Sequence, residues 1–129
     1  MKYITVMEKY PVFTFTVNKN ETRYKNVDEI LAYLKEQIEA HPIATYIGEF
    51  DHYAHTKSLE AGQIADDIKA AKNIICCFGK VLSKAEVLAI RPRTIGVAEV
   101  DDTFVVSFLE APNSEANAAM EAWVKGIAG

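Results

Sequence analysis

The chain has 129 residues and a mass of 14.4 kDa, the size of one ordinary domain. Half of its residues are apolar and a quarter are charged, which excludes a disordered, collagenous or coiled-coil chain and leaves enough apolar material for one core without disulfides. Fourteen basic against eighteen acidic residues give a formal charge of −4 and no basic stripe, which excludes a nucleic-acid-binding protein.

In chain order, the apolar run Tyr3–Met7 and the alternation of Phe13, Phe15 and Val17 with Thr14, Thr16 and Asn18 predict a β-rich start, bent or interrupted at Pro11. A polar loop follows from Asn18 to Asn26. Asn26 can cap a helix with Glu29 three residues on, and Val27, Ile30, Leu31, Leu34 and Ile38 repeat at helical spacing. His41-Pro42 stops it, because the residue before proline avoids the helical region. Ile43–Phe50 reads as a strand. Glu60–Lys72 reads as a helix, with Ile64, Ala65, Ile68 and Ala71 as its apolar stripe.

Asn73–Phe78 reads as a buried strand ended by Gly79, and Ser83 with Glu86 caps a turn or two before Pro92. Thr94–Val100 and Thr103–Leu109 form a hairpin across Asp101-Asp102, a turn without the glycine that would fix its register. Asn113-Ser114 open a last helix whose apolar face is Ala116, Ala119, Met120, Trp123 and Ile127. The expectation is a single α+β domain over 1–129. It is a two-layer sandwich with helices packed on one face of a mostly antiparallel sheet. A doubly wound fold is disfavoured, since no G-x-G-x-x-G loop follows a strand.

No apolar run approaches the twenty or so residues of a membrane span, and a charge interrupts the N-terminus before any secretory core forms. The expected location is the cytoplasm. The adjacent Cys76 and Cys77 do not make a disulfide framework.

The densest polar cluster is Glu49, Asp51, His52 and His55, at a strand end where function concentrates. If the chain stays extended, Glu49, Asp51 and His55 share one face and His52 points away. If a helix begins near Asp51, His52 and His55 lie together and can reach one metal or haem iron, with Asp51 or Glu49 among the candidate further ligands. The plainer account has Asp51 capping a turn and His52 hydrogen-bonded locally. Arg91 and Arg93 flank Pro92 on one face and can fork a carboxylate or phosphate. Their plainer account is a solvated pair, or a salt bridge to Glu99 or Asp101. For Cys76 and Cys77, redox chemistry stands against the plainer account of small hydrophobes in a buried strand.

The order of Phe50-Asp51-His52, an apolar strand ending in Phe78-Gly79, and a hairpin closing on Ala111-Pro112 resembles the domain-of-unknown-function 302 family. The resemblance spans roughly Ile43 to Pro112. The family's acidic-His pair falls on Asp51 and His52 and its Phe-Gly turn on Phe78 and Gly79. Lys80-Val81 and Leu82–Ala85 depart from the family's Asn-Pro and Gly-Thr-Pro stretches. The resemblance implies a small bacterial α+β protein, often a homodimer, without an established activity. The first functional expectation is a ligand-binding or accessory domain whose small-molecule site takes in Glu49, Asp51, His52, His55, Phe78, Gly79, Arg91 and Arg93. The alternatives are a metal- or haem-binding protein using His52, His55 and Asp51, and a thiol redox protein using Cys76 or Cys77.

Overall fold

A computed structural model describes residues 1–129. Its strands are β1 (Lys2–Val6), β2 (Tyr10–Asn18), β3 (Thr45–Phe50), β4 (Ile68–Cys77), β5 (Arg93–Val100) and β6 (Thr103–Leu109). The α-helices are α1 (Val27–Ala40), α2 (His52–Ser58) and α3 (Ser114–Lys125), with short 3-10 turns at Lys19–Glu21 and Ala85–Ile90. The six strands form one sheet in the order β1-β2-β6-β5-β4-β3, every pair antiparallel. The expected α+β sandwich is the observed one.

The two long helices cover one face of this sheet. In α1 the residues at helical spacing, Val27, Ile30, Leu31, Leu34 and Ile38, are all buried. They meet Ile74 and Cys76 of β4, Ile95 and Val97 of β5, and Phe104, Val106 and Phe108 of β6. The core holds no buried polar or charged side chain, so each buried Leu, Ile or Phe contributes about 1.5–3 kcal/mol undiminished by desolvation of a neighbour. Asn26 accepts the N–H of Glu29 at 2.9 Å and caps α1 as the sequence indicates. Its far end closes on His41, whose Nδ1 accepts the N–H groups of Ile43 and Ala44, both at 3.1 Å. That fixes the tautomer with the proton on Nε2. The His41 ring stands edge-on to Phe78 and Trp123.

The N-terminal segment is a hairpin rather than one interrupted strand. Met7 and Glu8 take positive φ (53° and 62°) and turn the chain, and Thr5 then pairs with Pro11. The hairpin between β5 and β6 turns tightly at Asp101-Asp102, with Val100 opposite Thr103. Asp101 itself occupies the left-handed region (φ 50°), which aspartate tolerates better than most residues.

The segment Glu60–Lys72 departs from expectation. It is not a helix: residues 59–67 are irregular and β4 begins at Ile68. The helix comes earlier, because Asp51 accepts the N–H of Ala54 at 2.9 Å and starts α2. The Ile68–Ala71 spacing that mimics a helical stripe arises from a bulge, with Ile68 opposite Val100 but Ala70 opposite Glu99. Gly62 sits inside the irregular stretch, where a Cβ would run into the Thr56 carbonyl.

Candidate functional site: a cationic cavity at the sheet end

The residues singled out in the sequence divide between two places. Glu49, Asp51, His52 and His55 gather around α2, whereas Phe78, Gly79, Arg91 and Arg93 lie together near the start of α3.

Around α2, the helical alternative holds. His52 and His55 share a face, with ring centroids 6.5 Å apart and both against Phe50. The polar atoms nevertheless turn to separate partners. Asp51 caps its own helix, His52 Nδ1 pairs with Thr56 Oγ1 at 3.0 Å, and Glu49 accepts the hydroxyl of Tyr46 at 3.0 Å. Lys72 ties the corner down, with Nζ 2.6 Å from Asp28 and 3.9 Å from Asp51. The hydrogen bond to Asp28 raises the Lys72 pKa, against an opposing effect of burial and with further support from Asp51 and Glu49. No three His, Cys, Asp or Glu side chains come together as a metal-holding group. His52 borders a hollow of about 190 Å³ with Tyr53, Thr56 and Ile64, while Asp51 and His55 lie outside it.

The second place is a cavity of about 140 Å³ at the end of the sheet. Three chain segments build it. The turn after β4 supplies Phe78, Gly79, Lys80 and Val81; the approach to β5 supplies Ile90, Arg91 and Arg93; the bend into α3 supplies Ala111, Pro112, Asn113 and Ala116. Behind it, Phe78 stacks on Trp123 at 5.6 Å. Arg91 Nη2 donates to the Val81 carbonyl at 2.7 Å. Arg93 Nη2 donates to the carbonyls of Leu109 (2.6 Å) and Glu110 (3.0 Å), and Nη1 to that of Ile90 (3.2 Å).

No carboxylate neutralises these arginines. The salt bridge to Glu99 or Asp101 is not formed: Glu99 pairs with Lys19 at 2.6 Å, and the other ion pairs involve Lys72 and Lys125. Burial pushes the Arg93 pKa down, the signature of a guanidinium short of solvent. Gly79 keeps the wall open, since a Cβ there would stand 3.1 Å from Cys77 Sγ and 3.4 Å from Arg91 Nη1. The positive end of the α3 dipole faces the same region. Its first amides are already engaged, because Asn113 accepts from Glu115 and Ala116, so Arg91 and Lys80 carry the charged donors not committed elsewhere.

Residues 1–129 match the model of a family of unknown function, DUF6858. The chain belongs to that family. The match corrects the resemblance to the domain-of-unknown-function 302 family: Asp51-His52 and Phe78-Gly79 are dipeptides short enough to recur by chance, and the DUF6858 match covers the whole chain. No curated protein and no solved structure matches the chain. Membership in DUF6858 assigns no reaction, so the chemistry has to come from the sites themselves.

The two cysteines separate as adjacent strand residues must. Cys76 is buried in the core and its thiol is pushed up to about 11, by burial first and by Cys77 next, with Arg93 opposing. Cys77 lies on the other side of the strand and its Sγ accepts the Gly79 N–H at 3.3 Å. The geometry gives Cys76 the character of a packing residue. No helix is long and apolar enough to cross a membrane.

Sequence reasoning missed the other seven cavity walls, Lys80, Val81, Ile90 and the Ala111–Asn113 bend among them. No local signal marks them, since tertiary folding alone brings Ala111 to Gly79.

Proposed function

We propose that this DUF6858 protein is a binding module for a small organic anion, taken up in the cavity between the Phe78–Val81 turn, Arg91 and the start of α3. The observation that carries this reading is the pair of guanidinium groups, Arg91 and Arg93, lining one partly apolar cavity with no carboxylate partner. A guanidinium presents five N–H donors. Arg91 spends one of them on Val81, and the others have no acceptor in the protein. A carboxylate or phosphate received there forms charge-assisted bonds about twice as strong as neutral ones. Phe78, Val81 and Pro112 offer the guest an apolar wall. A volume of about 140 Å³ suits a molecule of a few heavy atoms rather than a nucleotide.

The lining contains no carboxylate, imidazole, thiol or hydroxyl side chain. Its chemistry is therefore recognition by charge and shape, with Lys80 as the one amine. Arg93 is committed to the Leu109, Glu110 and Ile90 carbonyls and serves as the positioning residue that holds the bend into α3.

Thermal shift with inorganic phosphate, butyrate and benzoate tests the reading. At ten times its Kd, a ligand adds about 1.4 kcal/mol, or about 5 °C in a domain of this size. Butyrate or benzoate is expected to raise Tm by that order at millimolar concentration, and Arg91→Gln to abolish the shift while keeping its unliganded Tm within about 2 °C. Absence of any shift, or equal shifts in Arg91→Gln, refutes it.

A further inference from the structure

One side of the sheet has no long helix on it; only the short α2 and Ile64 lie against its Ile68–Ala71 corner. Ile74, Cys76, Ile95, Val97, Phe104 and Val106 point into the core, so their strand neighbours point the other way. The registers align these neighbours in continuous rows. One row crosses all six strands: Lys2, Thr14, Ser107, Gly96, Asn73 and Phe50. On one side of it runs Ile4–Val12–Leu109, and on the other Thr16–Val105–Ala98. Within these rows only Lys2, at the outer edge, carries a charge, although a quarter of the chain is charged. None of these residues is buried, and Ile4, Leu109 and Phe50 are among the exposed large hydrophobics.

We infer that this uncovered sheet face is the interface for a second copy of the chain, packed sheet against sheet. Three features select that occupant. The first is area. Six strands about 4.8 Å apart and about 16 to 33 Å long present roughly 700 Å² in projection, less the Ile68–Ala71 corner beside α2, and side-chain relief brings that near the ~800 Å² of accessible surface each partner gives to a stable complex. The second is charge. In a two-fold interface every patch meets its own copy, so any central charge would face its like. This face is free of charge except at its rim, and the excess of four negative charges stays on other surfaces. The third is shape. The centre is made of Gly96, Ala98 and Ser107, small enough for close approach, while Ile4, Leu109 and Phe50 stand nearer the margins. Two copies also carry the same sheet twist, the condition for aligned packing at about 10 Å.

The test is the solution mass by sedimentation velocity across the micromolar range. The wild-type chain is expected at twice 14.4 kDa. Ala98→Arg is expected at the single mass, with unchanged circular dichroism, because its side chain projects into solvent in the lone chain. Thr14→Lys is a second variant nearer the edge, should the first not fold. A wild-type chain that stays at the single mass at 200 µM, or a double mass that survives both substitutions, overturns the inference. So does a wild-type monomer that partitions onto lipid vesicles, which would give the face a different occupant.

Discussion

Cys76 makes alkali a probe of the core. Its side chain is fully buried beneath α1, and burial lifts its thiol from 9.0 to about 11. Between those two values the unfolded chain releases the proton and the native chain keeps it. The unfolded state then binds fewer protons, so stability falls as pH rises. The contribution is whole below pH 9 and lost as pH passes 11. A difference of about two units corresponds to about 3 kcal/mol, a large share of the 5–15 kcal/mol typical of a domain. Tyr33 and Tyr46 act in the same direction, each raised first by burial, so the wild-type slope alone does not isolate the thiol. Comparison with Cys76→Ala does. At pH 8 the variant lacks one buried heavy atom and is expected to be about 1 kcal/mol less stable. At pH 11 the wild type has lost about 2 kcal/mol of the thiol contribution, so the variant is expected to be about 1 kcal/mol the more stable and the two curves cross. Urea unfolding under reducing conditions, followed by the fluorescence of Trp123, the single tryptophan, reads both. A gap between the curves that stays constant from pH 8 to 11 refutes the assignment of a buried neutral thiol.

Other substitutions separate structural from functional residues. His41→Leu leaves the Ile43 and Ala44 amides without an acceptor and is expected to cost about 2 kcal/mol in urea unfolding. Asn117→Ala removes a side chain that both accepts from and donates to the Ala111 backbone, at 2.7 Å each way; the expected loss is about 1–3 kcal/mol by the same assay. His52→Ala removes one exposed hydrogen bond, to Thr56, and an exposed ring contact with Phe50, so its Tm is expected within about 2 °C of wild type, and its butyrate shift is expected to equal that of wild type. A lost shift would move the binding site to α2.

The sequence revealed α1, α3 and the β5–β6 hairpin because in each the local and the global preferences agree. Asn26, His41 and Asn113 sit at the helix ends where their side chains find orphan amides, and Phe104, Val106 and Phe108 alternate because one face of β6 is buried. Glu60–Lys72 shows the opposite case. Its spacing of three and four reads as a helix, yet a bulge in β4 generates the same spacing when Ile68 and Ala71 both fall on the uncovered face. A period cannot tell a helix from a bulged strand when the apolar residues are few. The arbitrating contact is remote: Lys72 reaches Asp28, forty-four residues away.

The site divides along the same line. The acidic-imidazole corner was visible because its members are consecutive, and being consecutive they satisfy one another locally. The cavity was half visible. Arg91, Arg93, Phe78 and Gly79 stood out by type, but what makes them a site is the arrival of Ala111–Ala116, and that depends on the Arg93 bonds to Leu109 and Glu110. The guanidinium that a local reading assigns to a salt bridge is held by backbone carbonyls instead. Carbonyls fix its position without cancelling its charge, so the neighbouring Arg91 shares a cavity that stays electropositive. Neutral tethers that leave the cation uncompensated are the physical ground for expecting an anion there. Arg93→Lys separates the two roles: it keeps the charge but loses the planar fork, and is expected to destabilise the bend by about 1–2 kcal/mol, while the Arg91-dependent shift with butyrate persists at reduced size.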